Sequence, residues 1–199
     1  MKMKEDSEIR SCEILADLTG ENSTNGVKMI LEGMPIVFGQ LTRIKNPNGD
    51  FFEIIERNAL NDCDLSGVPL IYNHSQNTVP LAKSPDTMLF EVRDNGLFMR
   101  AELANTENAR AVYEAVKRRD LSGMSFAFKI AQGGDNYNAR SNTRTISRID
   151  KIFECSIVIF PAYTGTNIEA RNIIEAERTQ YKKRQQAKIL LNQIRKVNI

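Results

Sequence analysis

The sequence predicts an α+β domain built mostly from antiparallel strands, with a long helix at its C-terminal end. Three observations carry this. Alternating or continuous apolar runs bounded by turn residues recur from residue 8 to residue 161, the pattern of strands with at least one buried face. An Asp-Asn-Gly turn at 94–96 joins two such runs into a hairpin. Helical spacing of apolar residues is clear only twice, at 106–119 and at 167–197.

Taken in order, residues 8–15 form a first strand, and Asn22 to Gly26 a turn. Residues 27–44 read as one long β segment with a bulge or bend at Gly33. NPNGD at 46–50 is a turn, FFEII at 51–55 a strand, and VPLIYNH at 68–74 another. Residues 87–103 are the hairpin. In TENARAVYEAVKRR, Ala109, Val112, Tyr113 and Val116 share one helix face, and Asn105 or Thr106 caps it. Strands follow at 124–131 and 147–161, separated by GGDNYNARSNT, a polar and mobile loop. Thr166 and Glu169 open the second helix as a T-x-x-E capping box. The division is therefore a body at 1–165 and an amphipathic basic helix at 166–199.

The chain has 199 residues with 41% hydrophobic residues, enough for a real core, and a net charge of only +2. That charge gives no argument for nucleic acid or for a membrane surface. Its distribution is uneven: from Glu169 to Ile199 there are eight Lys/Arg against three Asp/Glu, so a +5 tail follows a −3 body. Cysteines at 12, 63 and 155 are too few and too scattered for a disulfide framework or a metal knuckle. One histidine excludes a His-rich metal site, so neither metal nor cofactor is expected. The N-terminal residues lack an apolar signal core and no run is long enough to span a bilayer, so no membrane partner is expected.

Two residues suggest chemistry. His74, the single histidine, ends the strand LIYNHS, where alternation aligns it with Leu70 and Tyr72. In MSFAFKI, Met124, Phe126, Phe128 and Ile130 make an apolar row, so Ser125 projects from the other side of a rigid strand, just after Gly123. A nucleophile needs such fixed placement and a base within reach. An ordinary polar strand residue and a strand-end histidine would give the same spacing.

Further blocks stand in order around this pair. N-H at 73–74 is followed by VPLAKS, then DNGLFMRAEL, a helix ending VKRRDLSGMSFAF, and IFECSIVIFPAY. EGMPIVFG and FFEIIERNAL precede them. This series resembles the caudoviral prohead proteases over residues 8–166. Ala127 stands where that family usually has glycine, and Ala82-Lys83 where Gly-Arg is common. The resemblance implies an antiparallel β-barrel-like core similar to herpesvirus assemblin. It implies a serine endopeptidase with His74 as base, Ser125 rather than Ser122 as nucleophile, and Glu154 as the residue orienting the imidazole. Arg140, Arg144 and Arg148 are candidates for a supporting charge, against a reading as solvated loop residues. Expected partners are capsid or scaffold proteins, the chain itself and further copies of it. The expected place is the assembling procapsid in the host bacterial cytoplasm. The basic helix at 166–199 is expected to be a docking or dimerisation element. Two other readings compete: a cysteine protease using Cys155 and His74, and a non-catalytic assembly module on the same fold, which the basic tail would also suit.

Overall fold

The computed structural model describes residues 8–13, 28–46 and 49–159, and positions 183 and 186. Its strands form three sheets. In the first, the order is β1 (Glu8–Glu13), β9 (Gly123–Ile130), β12 (Ile149–Val158), β5 (Pro69–Tyr72) and β6 (Ala82–Lys83). The second runs β10 (Asp135–Asn138), β11 (Thr143–Ile146), β4 (Phe51–Ile55), β3 (Thr42–Ile44). The third is β2 (Met29–Val37), β8 (Gly96–Leu103), β7 (Met88–Arg93). The α-helix α1 (Glu107–Lys117) connects β8 to β9.

The expected mixture of many strands and few helices is present, but the barrel is not. None of the three sheets closes on itself, and two pairings, β12 with β5 and β11 with β4, are parallel. Alternation within single strands cannot reveal this, because it fixes a face and not a neighbour. The helix expected at 167–197 lies outside the described residues, apart from positions 183 and 186.

Local chemistry explains most elements. Thr106 caps α1 by accepting a hydrogen bond from the Ala109 N–H, and Ala109, Val112, Tyr113 and Val116 are all buried. The segment read as one strand at 27–44 is two strands in different sheets. The β2–β8 register shifts between Gly33 and Ile36, and the chain turns at Gly39, whose φ is +68°. Gly96 has another role than turn geometry: a Cβ there would lie 2.1 Å from the Ile36 carbonyl oxygen, so only glycine lets β8 approach β2.

The loop expected at 133–143 is the clearest difference. Residues 135–138 and 143–146 are strands, and β11 extends β4. Tyr137 and Ile146 are buried, so this segment is packed rather than a mobile loop. Its polar residues concealed it: Arg144, read as a solvated loop residue, is 3% exposed. It joins a buried ion cluster between the first two sheets. Arg10 of β1 grips both carboxylate oxygens of Glu53 in β4. Glu8 accepts from Arg10 and from Arg144, and Arg144 also donates to Asp135. Arg140 and Arg148 are exposed, as a loop reading requires.

The main core runs under the first sheet. Met124, Phe126 and Phe128 of β9 belong to it with Leu70, Ile152, Cys155 and Ile157, and the two phenyl rings pack at 5.1 Å between centroids. The apolar row read from the sequence is this face. The opposite face of β9 is buried as well: Ser125 and Ala127 are both 0% exposed.

Candidate active site

The site lies in the first sheet, where β9, β12 and the end of β5 meet. β12 is the middle strand, with β9 antiparallel on one side and β5 parallel on the other. Alternation puts Glu154 and Ser156 on one face of β12 and Cys155 and Ile157 on the other. Register places Ser156 directly opposite Ser125 and Glu154 opposite Ala127. Cβ atoms of directly opposed residues stand about 4.5–5.5 Å apart. Ser125 is therefore the cross-strand neighbour of the pair formed by Glu154 and Ser156.

His74 reaches this face from β5 by a turn, not by continuation of the strand. β5 ends at Tyr72, and Asn73 and His74 both have positive φ, +50° and +58°. Two successive non-glycine residues in the left-handed region are uncommon and cost free energy. The turn is held by the Asn73 N–H bonded to the Ile157 carbonyl and the Ser75 N–H bonded to the Tyr72 carbonyl. The alignment of His74 with Leu70 and Tyr72 expected from alternation is thus replaced by a turn that swings the imidazole over β12.

Its Nδ1 lies 2.5 Å from Glu154 Oε1. Ser156 Oγ donates to the same carboxylate oxygen at 3.1 Å and stands 3.3 Å from Nδ1. Glu154 is 3% exposed, so the reading of it as a solvent-facing strand residue fails. Nε2 of His74 is buried and makes no hydrogen bond, the single side-chain atom of that kind among the described residues. Native structures pair nearly all buried polar atoms, so this nitrogen stands out. With Nδ1–H directed at the carboxylate, Nε2 carries the lone pair. That is the tautomer a general base needs.

The structure brings His74 and Glu154 together and sets Ser125 one strand away. The Ser125 hydroxyl is engaged elsewhere: it donates to the Arg10 carbonyl of β1 at 3.0 Å. Ser122 is exposed and precedes β9. Cys155 is 0% exposed in the core, on the face opposite Glu154 and in register with Leu70. That position removes it from the imidazole and leaves the cysteine-protease reading without support. Burial also pushes the Cys63 thiol up to about 12, so it is a poor nucleophile. Among the described residues no group of three His, Cys, Asp or Glu is placed to hold a metal, and no helix is long and apolar enough to cross a membrane. Sequence reasoning missed Ser156. The signal was available in Glu-x-Ser, where the period of two puts the hydroxyl beside the carboxylate.

The model of the caudovirus prohead serine protease family matches residues 16–184. The chain belongs to that family. No curated protein matches the sequence. Among solved structures, the chain is similar to the bacteriophage T4 capsid assembly protease, gp21. The identity is 11%, the match covers 78% of this chain and 99% of that one, and the TM-score is 0.50. At that identity the likeness is one of fold. The family match begins after β1 and runs past residue 165, into the segment read as a separate tail.

Proposed function

We propose that this chain is a serine endopeptidase that cleaves scaffold or major capsid protein, and itself, while the prohead matures. The observation that carries the reading is the His74–Glu154 contact beside the strand that bears Ser125, in a chain of the prohead serine protease family. In this reading Ser125 gives up its bond to the Arg10 carbonyl and turns its hydroxyl to Nε2. His74 takes the proton as Oγ attacks the scissile carbonyl, and the imidazolium that forms is stabilised by Glu154. The imidazolium protonates the leaving amine, which departs and leaves an acyl-enzyme. Water, deprotonated by His74, then attacks the ester and regenerates Ser125.

The test is incubation of the purified protein with its capsid and scaffold proteins, followed on a gel. Fragments are expected, and His74→Ala should remove them. Glu154→Gln keeps a hydrogen-bonding shape but loses the charge. It should slow cleavage by roughly 10²- to 10⁴-fold, less severely than His74→Ala. Unchanged cleavage in Glu154→Gln would give the orienting role to another residue.

The tail at 166–199 is, in the same reading, a docking or dimerisation element. In proteins most helical stability comes from packing an amphipathic face against a partner. The chain truncated after Thr166 should keep its fold and peptide cleavage but lose entry into particles and self-association in sedimentation. Unfolding of the truncated body would make the tail part of the core instead.

A further inference from the structure

We propose that Ser156 is a positioning residue of this site, acting on the imidazole through Glu154; this rests on the protease reading above. Four observations support it. Ser156 is 0% exposed and donates to Glu154 Oε1 at 3.1 Å. That oxygen is the one His74 Nδ1 meets. The serine oxygen is also 3.3 Å from Nδ1 itself. Its Cα is the register partner of Ser125.

Chemistry separates this role from that of a nucleophile. Ser156 lies on the Nδ1 side of the ring, and Nδ1 already faces the carboxylate. A hydroxyl there cannot hand its proton to the lone pair of Nε2. It can do two other things. It selects which carboxylate oxygen faces the ring, because Oε1 accepts from both groups and the side chain is pinned by both. It also satisfies part of a charge that is almost wholly withdrawn from water. A buried carboxylate with too few donors is costly, and hydrogen bonds to charged groups are the stronger kind. Without Ser156 the carboxylate would lose one of the two groups that pin it, and the imidazole it meets would lose a fixed alignment. Base catalysis depends on that alignment more than on affinity for substrate.

The test uses the full chain and a fluorescent fluorophosphonate, which reports base-activated serine without needing the cleavage sequence. In Ser156→Ala the maximal labelling rate is expected to fall tenfold to a hundredfold, about what one charged hydrogen bond supplies. The half-saturating probe concentration should change less than about twofold. Ser156→Cys keeps the bulk but weakens the donor, and should show a similar fall if alanine proves unstable to heat. The deciding arm is the double variant. In a Glu154→Gln background, Ser156→Ala should cost less than about twofold, because the residue acts through the carboxylate; a purely packing role would cost the same in both backgrounds. An equal loss in both backgrounds, or wild-type labelling by Ser156→Ala, overturns the assignment. So does labelling abolished by Ser156→Ala as completely as by Ser125→Ala, which would make Ser156 the nucleophile. If Ser125→Ala labels like the wild type, the protease reading itself fails and takes this assignment with it.

Discussion

Ser125→Ala is expected to abolish proteolysis and leave the fold intact. The nucleophile carries the covalent step, so its removal should cost on the order of 10⁶-fold in turnover, which a gel reads as none. The structural cost is small by comparison. Ser125 is fully buried and its hydroxyl makes one hydrogen bond, to the Arg10 carbonyl. Alanine keeps the strand and loses about 1 kcal/mol with that bond. The thermal midpoint should therefore move by a few degrees while activity disappears. Ser122→Ala, an exposed change outside β9, should behave as the wild type. Co-expression with the capsid and scaffold genes gives the clearest readout, as cleaved or uncleaved shell proteins. Equal processing by wild type and Ser125→Ala would refute the assignment of the nucleophile.

Arg144→Ala should produce the largest loss of stability, about 3–5 kcal/mol by urea denaturation. Arg144 is 3% exposed and shares Glu8 and Glu53 with Arg10, while also holding Asp135. Its removal leaves buried carboxylates with one guanidinium between them. Breaking one member of a buried ionic group costs far more than the intact group contributes. The same cluster predicts a pH dependence. Burial alone would raise the Glu8 carboxyl, but the Arg10 and Arg144 guanidiniums outweigh it and hold the group below its ordinary value. A depressed folded pKa gives stability that is fully present above the unfolded value of about 4.3 and lost as pH falls through the folded value. Wild-type stability should therefore decline below about pH 4.3, and the Glu8 share of that decline should shrink in Arg144→Ala. A loss under 1 kcal/mol, or identical acid profiles for the two proteins, would mean the cluster is not a stabilising junction. Because Arg10 belongs both to this cluster and to the bond with Ser125, the variant should also be assayed for cleavage.

The difference between what was legible and what was not follows from the range of the forces involved. Local rules act within a few residues, and they sufficed for α1 with its Thr106 cap, for the hairpin at 87–103, and for the apolar row of Met124, Phe126 and Phe128. With the ordered family motifs they led to His74, Ser125 and Glu154 as candidates, of which His74 and Glu154 are in contact. Little that is local distinguishes Arg144 from a solvated loop arginine, because the two carboxylates that bury it lie at positions 8 and 53. The strands β10 and β11 were hidden for a related reason: β11 finds its place by pairing with β4, far earlier in the chain. Alternation gave Ser125 a face but not a neighbour. Only the pairing of β12 between β9 and β5 decided that Glu154 and Ser156 stand beside it, and only the left-handed turn at Asn73 and His74 brought the imidazole to them. The sequence by itself supplied the candidate side chains and the local elements that carry them. Sheet order and register, which are set by packing across the whole chain, decided which of them meet.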